Sequence, residues 1–448
     1  MSDTYDLVAV GSGAAAQVVT ARVRHAAWRV AVVDERPFGG TCALRGCDPK
    51  KMLVSAEEAI DAARRMRDHG VDGDLRIDWP ALIAFKRSFT DPIPAETERR
   101  LAESGVDVIH GAARFVGPDR LAVEDRELEA RHVLIATGAR PTPLRIPGED
   151  LVITSDAFME LNELPERIVF IGGGYIAAEF SHLAARAGAN VTVLQRCPRL
   201  LPRFDPDLVD ALMERFSGLG VAVHTDAAVT AVERTTHGLT ARARRADGGD
   251  VSVDADLVVH AAGRSPNLDG LALAAGGVAV ENGRLRLNRH LQSETNPRVY
   301  AAGDAAAKGP PLTPVSTLDA KVVASNLLEG PRHEPNYLGV PSVAFTLPPI
   351  ASAGIGEAEA LEQGLKFRRN AAITPGWFTA LRMREPVYGH KVLVAEDGRI
   401  LGAHLVGPNA EEVINLFALA IRHRLTADAL KDAVFTYPTA ASDVSFML

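Results

Sequence analysis

The stretch that decides the fold reads YDLVAVGSGAAA and runs from Tyr5 to Ala16. In it, an apolar run of strand length opens directly onto a glycine-rich turn, and a helical segment follows. A second apolar run, from Arg29 to Asp34, comes next and ends on an acid. This order predicts a βαβ unit with the pattern G-x-G-x-x-A, formed by Gly11, Gly13 and Ala16, of the kind that binds dinucleotides.

A second copy of this pattern lies about 160 residues downstream. It reads RIVFIGGGYIA from Arg167 to Ala177, and its helix is followed by a strand-like run from Asn190 to Leu194. One such fingerprint arises easily by chance in a chain rich in glycine and alanine. Two, each between a strand and a helix and each with a following strand, indicate an internal duplication of a dinucleotide-binding unit.

The two copies differ in what they are expected to hold. In the first, the glycines let the backbone approach a pyrophosphate, and Asp34 is placed to accept hydrogen bonds from a ribose diol. Because that acid would repel a 2′-phosphate, FAD or NAD is expected there. In the second, Arg196 stands just past the strand, with Arg199 and Arg203 beyond it. Guanidinium groups pair with phosphate oxygens, so NADPH is predicted in preference to NADH; an ordinary solvated loop is the alternative.

Composition limits the other possibilities. The chain has 448 residues, of which 47% are hydrophobic and 24% charged, and a net charge of −8. This is typical of a globular protein of about three domains. The acidic excess argues against nucleic acid or an anionic membrane as partner, and no apolar run approaches the ~18 residues of a spanning helix. Because the N-terminus lacks the pattern of a secretory signal, a cytoplasmic protein is expected.

Two of the three cysteines, Cys42 and Cys47, lie close together in the stretch GGTCALRGCDPK. The nearest histidines, His25 and His69, are distant along the chain, so no metal site is expected. A structural disulfide closing so short a loop would be unusual in a reducing cytosol. The pair is therefore predicted to be redox-active, with a structural or spectator role as the alternative. Cys197 is expected to be a spectator.

The cysteine pair followed by Pro49 and Lys50 resembles the redox motif of the FAD-dependent pyridine nucleotide–disulfide oxidoreductases, which include glutathione reductase, dihydrolipoamide dehydrogenase and mercuric reductase. The resemblance extends over nearly the whole chain. Further landmarks occur in family order, at Ala136-Thr137-Gly138, Gly263-Arg264-Ser265-Pro266-Asn267, Ala302-Gly303-Asp304 and Leu312-Thr313-Pro314-Val315.

The resemblance implies an α/β fold with two Rossmann-like dinucleotide-binding domains, for FAD and NADPH, and a C-terminal α+β dimerisation domain. The predicted segments are 1–149 and 266–335 for the two parts of the FAD domain, 150–265 for the NAD(P)H domain and 336–448 for the dimerisation domain. A proline-bearing stretch from Pro331 to Pro341 marks the last boundary in the sequence itself. Beyond it, strands are predicted at Ser342–Phe345, Lys391–Val394 and Ile400–Val406, and helices at Glu357–Gln363 and Ala410–His423.

The resemblance also implies roles for individual residues. Cys47 would exchange electrons with the flavin and Cys42 with the substrate, while Lys50 would lie beside flavin N5, paired with Glu179. Tyr175 would cover the flavin until nicotinamide enters; a packed core tyrosine is the alternative. The implied FAD contacts are Gly11, Gly13, Ala16, Asp34, Thr41, Ala113, Thr137, Gly138, Asp304 and Thr313. The implied contacts of the nicotinamide coenzyme are Gly172, Gly174, Tyr175, Ile176, Arg196 and Gly263.

The tail departs from the family pattern. Where most disulfide reductases carry His-Pro-Thr and a glutamate five residues after the histidine, this chain has Tyr437 and Ser442, with Asp443 one position later. A phenol ordinarily keeps its proton at pH 7, so it donates a hydrogen bond but is a poor base. Tyr437 is therefore predicted as a catalytic residue of a different kind, and a substrate other than a plain disulfide is one consequence.

Together with these observations, the resemblance implies a homodimeric, NADPH-dependent FAD oxidoreductase of the EC 1.8.1 type, with its active site shared across the dimer interface. Hydride would pass through the flavin to the Cys42–Cys47 disulfide and then to a small-molecule disulfide or related sulfur substrate. A reductase of metal ions or other oxidants is one alternative, although the chain lacks a second cysteine pair for mercuric ion. The other is a flavin electron-transfer protein without disulfide turnover.

Overall fold

The protein is described here by a computed structural model covering residues 3–448. The chain divides into two compact units. The first contains the residues up to Lys50, Phe85–Thr142 and Arg264–Tyr337. The second contains Lys51–Ala84, Pro143–Gly263 and Leu338–Leu448.

The helices and strands follow one another along the chain in four stretches. The first holds β1 (Asp3–Val10), α1 (Ala14–His25), β2 (Val30–Asp34), α2 (Gly40–Arg45), α3 (Cys47–Arg65), α4 (Trp79–Thr90), α5 (Ile93–Glu103), β3 (Asp107–His110), β4 (Ala113–Gly117), β5 (Arg120–Val123), β6 (Arg126–Ile135) and β7 (Ala139–Pro141). The second holds β8 (Ile153–Thr154), α6 (Ser155–Phe158), β9 (Arg167–Ile171), α7 (Tyr175–Arg186), β10 (Asn190–Leu194), α8 (Pro206–Gly218), β11 (Ala222–His224), β12 (Ala227–Thr235), β13 (Gly238–Arg245), β14 (Asp250–Ala255), β15 (Leu257–His260) and β16 (Arg264–Pro266). The third holds β17 (Val280–Glu281), β18 (Arg284–Leu285), β19 (Val299–Ala301) and α9 (Thr313–Glu329). The last holds β20 (Ser342–Ala344), β21 (Ile350–Gly354), α10 (Glu357–Glu362), β22 (Phe367–Ile373), α11 (Phe378–Met383), β23 (Gly389–Ala395), β24 (Ile400–Val406), α12 (Ala410–Arg422), α13 (Ala427–Lys431) and α14 (Val444–Met447).

The first unit is built on a sheet with strand order β3-β2-β1-β6-β5-β4, and β19 pairs with the carboxyl-terminal end of β6, beyond the residues that pair with β5. Strands β1, β2, β3, β6 and β19 run parallel, whereas β4 and β5 are antiparallel additions. Residues 7–10 of β1 are buried on both faces, which is why this strand reads as a continuous apolar run. The parallel order brings the carboxyl ends of β1, β2 and β6 to one edge, where ligands bind in sheets of this type.

The second unit contains the repeated βαβ element. Its parallel sheet has the order β11-β10-β9-β15-β8, with β12, β13 and β14 forming a separate antiparallel sheet. The tail forms an antiparallel sheet, β20-β21-β24-β23-β22, against which α12 packs. Both predicted βαβ units are therefore present, and strands β10 and β24 begin and end at the predicted residues. Within residues 3–448, no helix is long and apolar enough to cross a membrane.

Candidate active site

The turn after β1 is shaped for close approach of a ligand to the backbone. Gly11 has φ +104°, and a Cβ there would lie 2.3 Å from the Ala136 carbonyl oxygen. The loop at Gly40 (φ +77°) passes so close that a Cβ on it would lie 2.3 Å from Gly13 Cα. Helix α1 begins directly after Gly13, which supplies no side-chain cap. Because no side chain caps α1, the N–H groups of its first turn form a donor set that fits a pyrophosphate such as that of FAD.

Asp34 joins this turn to the end of β2. Its Oδ2 accepts hydrogen bonds from the Ser12 backbone N–H at 2.8 Å and from the Ser12 hydroxyl at 2.7 Å. The Ser12 hydroxyl in turn accepts from the Gly39 N–H at 3.1 Å. Sequence reasoning assigned Asp34 to a ribose and missed this second task, which is to hold the glycine turn against the strand end.

The other predicted FAD contacts also lie in the first unit. Thr137 donates to the Asn267 carbonyl at 2.6 Å, and the Gly138 carbonyl accepts from the Asn267 N–H at 2.9 Å, so these landmarks are tied together. Asp304 lies half-buried in a 3-10 turn. Burial raises the pKa of its carboxyl group, and the positive charge of Arg264 partly offsets this rise. Three further predicted contacts are placed as follows: Ala16 is buried in α1, Ala113 is buried at the start of β4, and Thr41 is half-buried in α2.

Cys42 and Cys47 meet at the break between α2 and α3. Gly46 forms the bend, and a Cβ there would lie 2.8 Å from the Thr41 carbonyl oxygen. One hydroxyl joins the two thiols: Thr313 Oγ1 donates to Cys42 Sγ at 3.0 Å and lies 3.3 Å from Cys47 Sγ. The family resemblance implies only a flavin contact for Thr313. No local sequence signal links it to the cysteines, because the two segments are about 270 residues apart.

The two thiols differ sharply in acidity. The hydrogen bond from Cys42 lowers the pKa of Cys47 to about 6, and the Thr313 hydroxyl and the Lys50 charge act in the same direction. The same thiol–thiol hydrogen bond, together with burial, raises the pKa of Cys42. Cys47 is also the first residue of α3, and Thr313 the first of α9, so two helix N-termini favour negative charge here. The reduced pair therefore shares one proton, held on Cys42, with Cys47 as a thiolate at neutral pH.

Asp48 is a further acid at this site whose contact sequence reasoning missed. Its Oδ1 lies 4.0 Å from Cys42 Sγ, and burial raises its pKa. The adjacent position of Asp48 and Cys47 was visible in the sequence. That Asp48 contacts Cys42 depends on the bend at Gly46, which the sequence does not reveal.

The turn after β9 repeats the geometry of the first one. Gly172 has φ +112°, and a Cβ there would lie 2.3 Å from the Ala261 carbonyl oxygen. Helix α7 begins directly after Gly174, as α1 does after Gly13. Gln195, only 5% exposed, packs beneath Gly173 and donates from Nε2 to the Arg199 carbonyl at 3.1 Å. The buried amide thus orders the loop that carries the arginines.

The arginines of this loop are not equivalent. Arg199 pairs with Asp210 at 3.1 Å, both side chains being about half exposed. Arg196 is exposed, and its guanidinium forms no ion pair with any residue between 3 and 448. Arg203 is exposed near Tyr175. Burial raises the pKa of the Tyr175 phenol, and the positive charge of Arg203 acts against this rise.

Tyr175 and its neighbours line the start of α7. Tyr175 is half-buried and meets the ring of Phe204 edge-on at 5.5 Å, so it is partly packed and partly accessible. Ile176 is likewise half-buried, and Gly263, with φ +111°, follows β15. Glu179 is buried in the same helix and accepts from the Phe345 N–H at 2.8 Å.

The remaining predicted catalytic residues lie in different units. Lys50 belongs to the first unit and Glu179 to the second, and their pairing stays a prediction. Tyr437 is 76% exposed near the C-terminus. Among the residues from 3 to 448, no group of three or more His, Cys, Asp or Glu side chains is arranged to hold a metal ion.

Known proteins that match this chain in sequence or structure are all reductases or oxidoreductases among those compared below. Residues 5–320 match the family described as pyridine nucleotide-disulphide oxidoreductase, and residues 340–447 match its dimerisation domain. The chain is 35% identical to the mercuric reductase of Streptomyces lividans, covering 98% of this chain and 94% of the relative. It is 32% identical to the glutathione reductase of Burkholderia cepacia, covering 98% and 97% of the two chains. Among solved structures, the Cu(II) complex of the HOCl-induced flavoprotein disulfide reductase RclA from Escherichia coli superposes with a TM-score of 0.88 at 27% identity, covering 99% of both chains.

Proposed function

Because this chain belongs to the pyridine nucleotide-disulphide oxidoreductase family, we propose that it reduces a small-molecule disulfide or related sulfur electrophile through Cys42 and Cys47. The predicted family, the α/β fold class and the cofactors FAD and NAD(P)H are confirmed by this membership. The match to the dimerisation domain supports a homodimer. NADPH as the preferred coenzyme, a cytoplasmic location and the division at 149/150, 265/266 and 335/336 are parts of the proposal.

The residues of the first unit would hold FAD, which when bound supplies the two-electron link between the hydride of NADPH and the disulfide. The turn at Gly11–Gly13 and the N-terminus of α1 would bind the pyrophosphate, and Asp34 would bind the adenosine ribose. Asp304 would face the ribityl chain. These assignments are supported by the positive φ of Gly11 and by the start of α1, where no side chain forms a capping hydrogen bond.

The proposal depends chiefly on one observation: Cys42 and Cys47 both contact the Thr313 hydroxyl, and their pKa values are shifted in opposite directions. Two electrons and one proton convert the disulfide into the Cys42 thiol and the Cys47 thiolate, and the difference in pKa favours this arrangement. Cys42 then attacks one sulfur of the substrate and releases the other. Cys47 displaces the bound sulfur from Cys42, which restores the disulfide and completes the reduction of one substrate disulfide per NADPH.

Counting thiols after anaerobic addition of NADPH tests this relay. Two new thiols per subunit should react with a thiol reagent in the wild-type holoenzyme and in Cys197→Ser, the matched control. Neither Cys42→Ser nor Cys47→Ser should show this gain. Bleaching of the flavin without release of thiols would overturn the relay and leave an electron-transfer function.

Reduction of a metal ion at the same dithiol is a second candidate. It is favoured by the names of two similar proteins, a mercuric reductase and a reductase solved as a Cu(II) complex. The Cys47 thiolate is exposed, and soft thiolates bind such ions well. NADPH oxidation supported by Hg(II) or Cu(II), and lost in Cys47→Ser, would favour this function over disulfide reduction. A survey with glutathione disulfide, lipoamide and other small disulfides measures the competing activity.

We further propose that the exposed tail carries Tyr437 to the active site of the second subunit, where its hydroxyl donates a hydrogen bond to substrate. Tyr437→Phe should then lower turnover while FAD content is preserved. Unchanged turnover would mean that this tyrosine only packs against the partner.

A further inference from the structure

The proton on Cys42 has to leave before that sulfur attacks a substrate, and the carboxylate of Asp48 lies beside it. Asp48 Oδ1 is 4.0 Å from Cys42 Sγ, so the thiol can turn its single proton from Cys47 to this carboxylate. Asp48 is also the second residue of α3, so the backbone that fixes Cys47 fixes it too. We propose that Asp48 is a catalytic residue, the general base that takes the proton of Cys42 as its sulfur attacks and returns it to the departing sulfur. This inference rests on the proposed disulfide relay.

The tail residues in the usual histidine and glutamate places are poorly suited to this task. The Ser442 hydroxyl donates to the Thr439 carbonyl at 2.6 Å. Asp443, one position beyond the usual glutamate place, accepts from the Tyr388 hydroxyl at 2.8 Å, which engages one of its two carboxylate oxygens. Tyr437 offers a phenol hydroxyl, a group that serves as a hydrogen-bond donor rather than as a general base. Asp48 supplies a carboxylate in contact with the reacting thiol.

The electrostatics of the site agree with this role. The Cys47 hydrogen bond and burial raise the pKa of Cys42, so its proton is retained until an acceptor takes it. Asp48 remains solvent-exposed, and its partial burial raises its pKa, which moves the carboxyl group toward the working range of a general base. The titratable groups around the two sulfurs are Cys42 on α2 and Cys47, Asp48 and Lys50 on α3, while α9 contributes the neutral hydroxyl of Thr313.

Protons and electrons balance in this step. The S–H bond of Cys42 breaks and a bond forms between Cys42 Sγ and one substrate sulfur, while the substrate S–S bond breaks. The departing sulfur receives the proton that Asp48 held, so the carboxylate is regenerated. Cys47 then displaces the remaining sulfur from Cys42, and the two electrons of the dithiol have passed to the substrate.

The variant Asp48→Asn tests whether Asp48 acts as a general base or only as a negative charge, because the two roles predict opposite changes in the rate of thiol exchange. The Asp48 charge raises the pKa of both thiols, so removing it would speed thiol exchange if charge were its only effect. If Asp48 is the base, the enzyme reduced beforehand with NADPH should react with a small disulfide about 100-fold more slowly. The loss of rate on the acid side, where the wild-type carboxylate becomes protonated, should also disappear from the pH profile.

Reduction of the enzyme by NADPH tests the proposed function, whereas exchange of the reduced enzyme with a disulfide tests the role of Asp48. Asp48→Asn should still release two thiols on reduction, and Asp48→Glu, which keeps a carboxylate, should retain most of the exchange rate. Asp428→Asn, which removes an exposed acid at the second residue of α13, is the matched control and should behave as wild type. An unchanged or faster exchange rate in Asp48→Asn would overturn the assignment. Failure of the wild-type enzyme to release two thiols would overturn the relay itself, and this inference with it.

Discussion

The two glycine fingerprints of this chain have the same backbone and different surroundings. Gly11 and Gly172 both adopt a positive φ, and both lie against a carbonyl at the end of a neighbouring strand, Ala136 or Ala261. This shared geometry is the part of the motif that accommodates any dinucleotide pyrophosphate. The choice between ligands therefore has to come from other residues.

The two fingerprints differ at the end of their second strands, β2 and β10. Asp34 reaches back to Ser12 and holds the glycine turn itself. Gln195 packs beneath Gly173 and reaches forward to Arg199, so it orders the loop beyond the strand. An acid at the first site suits a ribose diol, whereas an ordered loop of arginines at the second suits a phosphate. We therefore expect this one position of the duplicated fold to separate two binding preferences.

Alanine at the first glycine of each fingerprint should produce the largest effects. In both cases the new Cβ would lie 2.3 Å from a carbonyl oxygen in a backbone region that strains any side chain. Gly11→Ala should be purified with little FAD. Gly172→Ala should retain FAD, measured by absorbance after denaturation, but show a KM for NADPH raised by more than roughly 100-fold.

Gly218→Ala, at the end of α8 and outside both fingerprints, is the matched control, because Gly218 has no positive φ and the added Cβ would meet nothing within 4 Å beyond its chain neighbours and its own helix. It should change the KM much less than Gly172→Ala. If Gly172→Ala lost FAD to the same extent as Gly11→Ala, the two fingerprints would not serve separate cofactors.

Much of this comparison was predictable from the sequence, because each fingerprint is local. The apolar runs of β9 and β10 end at the predicted residues, and the glycine turns follow directly. Strand β22, with the sequence FRRNAAI, was not predicted because it is largely exposed and lacks an alternating apolar face. The contact of Thr313 with both thiols was also out of reach, because it depends on how α9 packs in the folded unit.

Arg196→Ala should have an intermediate effect, confined to the second fingerprint. Its guanidinium is exposed on the ordered loop and available to a 2′-phosphate. Loss of one charge-assisted hydrogen bond of this kind should raise the KM for NADPH by roughly 30-fold. The KM for NADH, which lacks the phosphate, should be nearly unchanged. Equal effects on both coenzymes would remove the physical basis for a preference between them.

Arg199→Ala should have the smallest effect, although it removes the same charge from the same loop. Arg199 already pairs with Asp210 at 3.1 Å, and its contribution to the loop comes from its backbone carbonyl, which accepts from Gln195 and survives the substitution. An exposed ion pair contributes only about 0–1 kcal/mol, so the KM for NADPH should rise less than about fivefold. A change as large as that of Arg196→Ala would mean that Arg199 leaves Asp210 for the coenzyme. The preference would then come from the summed charge of the loop rather than from one arginine placed by Gln195.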